Sequence, residues 1–354
     1  MSYETTTHLY RLDPVQPDAA LLALAADVLR RGGLVAFPTE TVYGLGANAL
    51  DAEAVGEVFA AKSRPANDPI IVHIHEQAQL ASVARDLPPL AETLAAAFWP
   101  GPLTLVLRRS DRIPPIVSSG LPTVAVRMPS GVVARALLRA ADLPVAAPSA
   151  NTFSRPSATT AAHVLEDLDG RVDVILDAGP TQIGIESTVL DLTGATPTVL
   201  RPGGVTIEAL RAYAPVVLHE RFIDAEQDES APAPGMLTRH YAPRAPLTLF
   251  EAEPAVAIAA MRAHAAAAIA RGQRIGLLIV DEDHPALADL GAQIETLGSE
   301  NHLAQVSARL FAGLRALDAC GVDAILARTL GSAGLGAAIR DRLLRAAEGR
   351  VVRG

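Results

Sequence analysis

An α/β fold in two parts is predicted for this 354-residue chain. Three observations predict it. Short apolar runs of strand length alternate with longer segments of helical period. The alternation is interrupted by an acidic, Pro/Ala-rich stretch and then resumes. Several strand-like runs in the first part lie close together, which favours a mixed sheet, because parallel neighbours need a long crossover. The length exceeds one typical core and suits two domains.

In the first part, Leu34 to Phe37 reads as a short buried strand. Asp51 is placed to cap a helix over Ala52 to Ala61, with Val55, Val58 and Phe59 on one face. Strands then fit Ile70 to Ile74, Leu103 to Leu107, Thr123 to Met128, Val172 to Leu176, Ser187 to Leu192 and Thr198 to Leu200. Helices fit Leu90 to Phe98, Val132 to Ala140 and Thr160 to Leu168. Composition shifts after about Leu210, and Glu220 to Pro234 reads as an exposed linker. Gly235 to Pro243 carries an Arg, a His and a Tyr between turn residues, too functionalised for a spacer.

From Leu247 a second βα pattern begins. Strands fit Leu247 to Phe250, Ile275 to Val280, Gln293 to Thr296 and Ala324 to Leu326. Helices fit Ala255 to Ala270, His302 to Leu317 and Ala337 to Ala347. This is the pattern of a smaller, doubly wound, Rossmann-like α/β domain. The glycines of Gly331 to Gly336 lack the G-x-G-x-x-G order, so Gly334 and Gly336 read as loop residues before the last helix. The expected divisions are 1–212, a linker over 213–245, and 246–354.

Composition narrows the function. The chain is 50% hydrophobic and 19% charged, which suits a well-packed globule. A net charge of −9 argues against wholesale nucleic-acid binding, whose affinity comes largely from phosphate neutralisation. With 4% aromatic residues, stacking platforms for single-stranded RNA are scarce. The single cysteine, Cys320, forms no intrachain disulfide, suits a reducing cytoplasm, and reads as a buried structural thiol. No charged-then-apolar leader and no uninterrupted apolar span of about 18 residues is found, so neither secretion nor a membrane is expected.

One lysine, Lys62, stands against twenty-nine arginines. A compact ammonium among phosphate oxygens is a role that a planar guanidinium fills poorly; chance in an arginine-rich chain is the competing explanation. Five segments carry polar groups in chemically useful settings. Pro38 to Gly46 follows a strand and offers hydroxyls and close backbone. Lys62 and Arg64 sit two apart at a helix end, followed by Asp68 and His73, and can converge on phosphate. Arg127 ends an apolar strand, where it must be paired or hold an anion such as a carboxylate. Ser149, Asn151 and Ser157 form a hydroxyl- and amide-rich loop. Glu186-Ser187-Thr188 begins a strand and Arg201 ends one. There is no P-loop, no Ser-His-Asp order and no cysteine nucleophile. His73 and His75 share a strand face, but no third ligand motif supports a tight zinc site. The inventory suits electrostatic catalysis on a phosphate or carboxylate.

Taken in order, these motifs resemble the L-threonylcarbamoyladenylate (threonylcarbamoyl-AMP) synthase family in its longer form, a YrdC-like catalytic domain with a C-terminal extension. The resemblance rests on Pro38-Thr-Glu-Thr-Val-Tyr-Gly-Leu-Gly46, Lys62-x-Arg64, Pro69-Ile-Ile-Val-His73, Trp99-Pro-Gly-Pro-Leu-Thr104, Val126-Arg-Met-Pro129, Ala147-Pro-Ser-Ala-Asn151, Glu186-Ser-Thr188 and Leu200-Arg-Pro-Gly203. It implies a nucleotidyltransferase that makes threonylcarbamoyl-AMP and pyrophosphate from threonine, bicarbonate and ATP with Mg²⁺. The product feeds threonylcarbamoyl-adenosine formation at tRNA position 37 through a downstream transferase machinery. It implies a threonine pocket of Thr41, His73, Arg127, Ala147 and Ser187. It implies ATP contacts from Arg64, Asp68, Thr123, Ser149, Ser157, Arg201 and Tyr241, with Lys62, Arg64, Ser149 and Asn151 around the phosphates. Gly235 to Pro243 is then expected to form a lid over the nucleotide.

Three rivals remain at this point. A hydrogenase-maturation carbamoyltransferase would share the YrdC-like part but would bring zinc-finger cysteines and an acylphosphatase module, neither present here. A double-stranded RNA module would need a basic face. A sensor that binds ATP or threonine without turnover is separated only by assay.

Overall fold

The computed structural model describes residues 5–219 and 240–354. They divide into two compact units. One comprises described residues 5–153, 157–182 and 186–219; the other comprises 154–156, 183–185 and 240–354.

The first unit holds twelve strands: β1 (His8–Arg11), β2 (Val35–Pro38), β3 (Tyr43–Asn48), β4 (Ile71–His73), β5 (Ala84–Arg85), β6 (Leu103–Arg109), β7 (Thr123–Arg127), β8 (Val145–Ala146), β9 (Val174–Asp177), β10 (Thr188–Asp191), β11 (Thr198–Arg201) and β12 (Val217–Leu218). They form one mixed sheet in the order β1-β9-β2-β3-β8-β4-β7-β6-β10-β11-β12, with β5 beside β6. Its helices are α1 (Ala19–Arg30), α2 (Ala52–Lys62), α3 (Leu80–Val83), α4 (Pro89–Phe98), α5 (Val132–Ala141), α6 (Ala161–Leu168) and α7 (Ile207–Arg211). Helix α1 starts where the Asp18 carboxylate accepts from the N–H groups of Ala20 and Leu21, and buries Leu22, Ala25, Ala26 and Leu29 at helical spacing. Those residues pack with Val133, Ala134, Leu137 and Leu138 of α5. Leu29 and Leu138 are fully buried, and truncating either to Ala costs about 2–5 kcal/mol. A larger core gathers Val55, Val58 and Phe59 of α2 with Leu94 of α4, Val164 of α6 and strand residues such as Leu45, Val72, Leu105 and Val126.

In the second unit β13 (Leu247–Glu251), β14 (Ile275–Ile279), β15 (Gln293–Thr296), β16 (Ala324–Arg328) and β17 (Val351–Arg353) form a parallel sheet in the order β15-β14-β16-β13-β17. Helices α8 (Pro254–Ala270), α9 (His284–Leu287), α10 (Leu303–Ala319) and α11 (Leu335–Ala347) connect the strands. β14 is buried along its whole length, as a parallel strand covered on both faces must be. The two triplets drawn from the first part of the chain pack here: Arg315 Nη2 donates to the Pro156 carbonyl at 2.7 Å, and Arg155 pairs with Asp318 at 3.7 Å. Gly184, at φ +76°, lies so close to α10 that a Cβ would stand 2.4 Å from the Ala308 Cα.

Some expectations need correction. Cys320 is exposed, because α10 ends at Ala319 and Cys320 is already its cap. Gly336 lies inside the first turn of α11, where a Cβ would meet the Leu330 carbonyl at 2.7 Å; it is a packing glycine, not a loop residue. Tyr43 to Gly46, within the segment read as following a strand, belong to a strand of their own, β3, paired with β2. Strands β1 and β17 and helix α1 were not foreseen, and β12 extends the first sheet within the stretch expected as linker. Glu220 to Pro234 and Gly235 to Arg239 lie outside the described residues.

Candidate active site

Strands β4, β7, β6 and β10 lie side by side in the first unit, and one face of them carries the polar groups. Side chains alternate along a strand, so Thr123, Ala125 and Arg127 share a face of β7. The parallel register pairs Ile71 with Ala125 and His73 with Arg127. The middle of the face is apolar: Ile71, Val106, Ala125, Val189 and Leu200, with Phe153 against them. Thr123 and Arg127 are four residues apart, about 13 Å along the strand.

At one end stands Arg127, buried. Its Nη2 lies 2.7 Å from Glu40 Oε1, its Nη1 donates to Thr41 Oγ1 at 2.9 Å, and its Nε donates to the Gly101 carbonyl at 3.2 Å. Burial alone would raise the Glu40 carboxyl, but the Arg127 charge outweighs it and holds the group below its ordinary range. His73 is beside Arg127 on the neighbouring strand. Burial, then the Arg127 charge, push its pKa down to about 3, so the imidazole is neutral near pH 7. Its Nδ1 is buried with no partner among the described residues. Ala147 is held to β4 by its N–H, which donates to the Ile71 carbonyl at 2.9 Å. Thr104 faces Arg127 across the β6–β7 ladder, and its Oγ1 is 2.7 Å from Ser187 Oγ. Arg201 Nη2 donates to the Ser187 carbonyl at 3.0 Å and to its Oγ at 3.3 Å. Gly203 makes this closure: a Cβ there would meet the backbone of Glu186 to Thr188 at 2.4 Å.

Lys62, Arg64, Asp68, Ser149 and Asn151 lie at or after the end of α2 or are tied to it. Lys62 is its last residue and is buried; Nζ donates to the Ser149 carbonyl at 2.5 Å and to the Asn151 carbonyl. Arg64 donates from Nε to the Asp68 carbonyl at 3.0 Å and from Nη2 to the Pro69 carbonyl at 2.7 Å, and its Nη2 is 2.9 Å from the Asp68 carboxylate. That pair accounts for an acid in a cationic site. Ser149 bridges to Gly44 of β3, and the Asn151 amide donates to the Thr152 carbonyl at 2.7 Å. Ser157, fully buried, donates to Glu186. Tyr241 belongs to the second unit. It is buried at φ +64°, with its ring 5.3 Å from that of Phe311 and 5.1 Å from the Arg342 guanidinium carbon.

Thus Lys62, Ser149 and Asn151 come together, as do Arg64 with Asp68, Thr41 with Arg127, and Ser187 with Arg201. His75, read beside His73, instead approaches Asp142, at 3.3 Å. Sequence reasoning gave no role to Glu40, Thr104 or Glu186. The signals were an acid inside a hydroxyl-rich segment, a lone hydroxyl in an apolar strand, and an acid at a strand entrance. Among the described residues no group of three or more His, Cys, Asp or Glu could hold a metal ion.

Two family profiles match the chain. The one described as "Telomere recombination" (Sua5, YciO and YrdC) covers residues 27–203; that of the threonylcarbamoyl-AMP synthase C-terminal domain covers 205–348. A threonylcarbamoyl-AMP synthase of Pyrococcus abyssi is 42% identical over 94% of this chain and 95% of its own length. One of Bacillus subtilis is 42% identical over 96% and 97%. The chain belongs to the threonylcarbamoyl-AMP synthase family. A crystal structure of the P. abyssi family member Sua5 in complex with L-threonine superimposes with a TM-score of 0.90 at 40% identity, covering 99% of this chain and 100% of that one. The family's two-domain organisation therefore spans both units described above.

Proposed function

We propose that the chain forms L-threonylcarbamoyl-AMP and pyrophosphate from L-threonine, bicarbonate and ATP, the first step of tRNA threonylcarbamoyl-adenosine formation. The observation that carries the residue assignment is the β4–β7 register, which pairs His73 with Arg127 at one end of a face whose β7 strand has Thr123 at its other end. A span of about 13 Å suits a molecule with an amino acid at one end and a nucleoside at the other.

Threonine's amine adds to CO₂ and releases a proton to water, or condenses with bicarbonate with loss of water, to give N-carboxythreonine. A carbamate oxygen then bonds to the α-phosphorus of ATP as the bond to the β-phosphate bridge breaks, and pyrophosphate leaves with that electron pair. Arg127, fixed by Glu40, holds the threonine carboxylate; Thr41, Ala147 and Ser187 line the pocket. Neutral His73 offers Nδ1 to the ligand without adding charge. Arg64, Thr123, Ser149, Ser157, Arg201 and Tyr241 contact ATP. Asp68 acts through Arg64, and Lys62 and Asn151 shape the phosphate end. Each charge-assisted bond there contributes about 1.5–3 kcal/mol. Mg²⁺ accompanies ATP and would offset phosphate charge. The donor set would fit an ion held chiefly by phosphates and water, since among the described residues no group of three or more His, Cys, Asp or Glu could hold one. The lid role of Gly235 to Pro243, the linker and domain divisions at 213–245, hand-over to a tRNA-modifying transferase, and a cytoplasmic setting belong to the same proposal. Among the described residues no helix is long and apolar enough to cross a membrane.

The test is pyrophosphate release by the purified chain with threonine and bicarbonate omitted in turn, and with Lys62→Ala as control. Release that needs both and is lost in the variant is the expected result. Release independent of threonine would sink the proposal.

A further inference from the structure

We propose that Thr104 is a positioning residue that turns the Ser187 hydroxyl proton toward an acceptor oxygen of bound threonine. The inference rests on the assignment of Ser187 to the threonine pocket and adds a residue to it.

The argument is a count of protons and lone pairs. Thr104 Oγ1 and Ser187 Oγ are 2.7 Å apart, and both residues are fully buried. Each hydroxyl brings one proton and two acceptor positions. Their mutual bond uses one proton. Neither hydroxyl has another acceptor among the described residues, so one buried proton is left over. Ser187 Oγ already receives an N–H from Arg201 Nη2 at 3.3 Å. If Thr104 donates, the second Ser187 lone pair is filled and the Ser187 proton is the spare one. If Ser187 donates, one of its lone pairs stays empty and the spare proton sits on Thr104. Both arrangements make the same number of bonds within the protein, but with threonine at Ser187 only the first lets both protons be donated, and because buried polar groups are rarely left unpaired this favours the first arrangement. It makes Ser187 a donor beside Arg127, which faces Thr104 directly across the β6–β7 ladder. Threonine carries carboxylate and hydroxyl oxygens that can take such a proton. The alternation of β6 is what puts Thr104 there: Leu103 and Leu105, on the other face, are in the main core.

The experiment measures KM and kcat for threonine, and KM for ATP, in threonine-dependent pyrophosphate release. The variants are Thr104→Val, Thr104→Ser, Ser187→Ala and the double Thr104→Val/Ser187→Ala. Thr104→Val keeps the shape and removes the hydroxyl. It should raise KM for threonine about three- to tenfold, the range for one neutral hydrogen bond, with kcat and the ATP KM little changed. Thr104→Ser should restore the wild-type KM, and the double variant should be no worse than Ser187→Ala. Should the Val variant misfold, Thr104→Ala repeats the measurement. A normal threonine KM in Thr104→Val alongside a raised one in Ser187→Ala overturns the positioning role. An unchanged threonine KM in Ser187→Ala, with wild-type release still dependent on threonine, removes Ser187 from the pocket instead. Equal rises in both KM values with no rescue by Ser would make Thr104 structural only, and the proposal would fail.

Discussion

Removing the carboxylate of Glu40 strands a guanidinium that water barely reaches. The side chains of Arg127 and Glu40 are 4% and 5% exposed, and their nearest atoms are 2.7 Å apart. At an effective dielectric of 20, unit charges about 4 Å apart attract by about 4 kcal/mol. Desolvation offsets much of that, so the pair as a whole is near neutral for stability, whereas breaking it from one side costs about 3–5 kcal/mol. Against a domain stability of about 5–15 kcal/mol that is a large fraction. We therefore expect Glu40→Ala and Arg127→Met each to destabilise the first unit strongly. The double variant should lose far less than the two single losses added, because it leaves no unpaired buried charge. Trp99 is the chain's one tryptophan; it is buried in this unit with its indole N–H donated to the Leu103 carbonyl, so its fluorescence in urea follows the relevant unfolding.

The sign with pH follows from the same pair. The folded Glu40 carboxyl is held below its ordinary value, so its contribution is present above about pH 4.3 and is lost as pH falls through the folded pKa. The double variant should lack this acid-side loss. If the losses of Glu40→Ala and Arg127→Met simply add, the two charges are independent, and the account of Arg127 as a fixed anchor is wrong.

Other outcomes follow from the same geometry. His73 is neutral when folded, with a pKa of about 3 against an ordinary 6.5, so the unfolded chain takes up the proton first. Stability should fall below pH 6.5 by about 1.4 kcal/mol per pH unit, and His73→Asn, measured beside wild type in urea, should lack that slope; parallel slopes would refute it. Gly203→Ala must push on the backbone of Glu186 to Thr188, so threonine-dependent pyrophosphate release should drop at least tenfold with a changed threonine KM; wild-type kinetics would show the loop has room. Gly184→Ala faces both a positive φ and an α10 backbone contact, and should lower the second unit's melting temperature in calorimetry by several degrees; an unchanged melting point would contradict it.

Where the sequence carried a period, the fold was legible. The Asp51 cap and the Val55, Val58, Phe59 stripe are found in α2 as expected. Strand β3 was not legible because Tyr43-Gly-Leu-Gly carries two glycines and reads as a turn. Packing demands one of them: at Gly46 a Cβ would stand 2.8 Å from the Phe37 ring, whereas at Gly44 the nearest atoms are 3.5 Å away. The buried-thiol expectation for Cys320 failed because a helix end is set by the turn after it, here Gly321 at φ +66°. In the candidate site, motif order singled out residues but not their partners. That Asp68 answers Arg64, and Glu40 answers Arg127, depends on pairing that no linear spacing encodes.

The lone lysine shows how a single residue can hold two roles. Lys62 closes α2, where the helix carbonyls favour a cation. Its own carbonyl accepts the Phe153 N–H at 2.8 Å, and its ammonium returns to the carbonyls of Ser149 and Asn151. The Ala147-to-Asn151 loop is thus tied to the helix end from both sides, and Phe153 is brought onto the apolar floor between the two ends of the face. A point charge with three donors can meet two converging carbonyls in so small a space, whereas a planar guanidinium would have to displace the loop. On the proposed function, the lysine would act at the phosphate end through the shape it gives Ser149 and Asn151, as well as through its charge. Lys62→Arg, which keeps the charge and changes the shape, separates these contributions: activity near wild type would assign the role to charge, and loss comparable to Lys62→Ala would assign it to the tie.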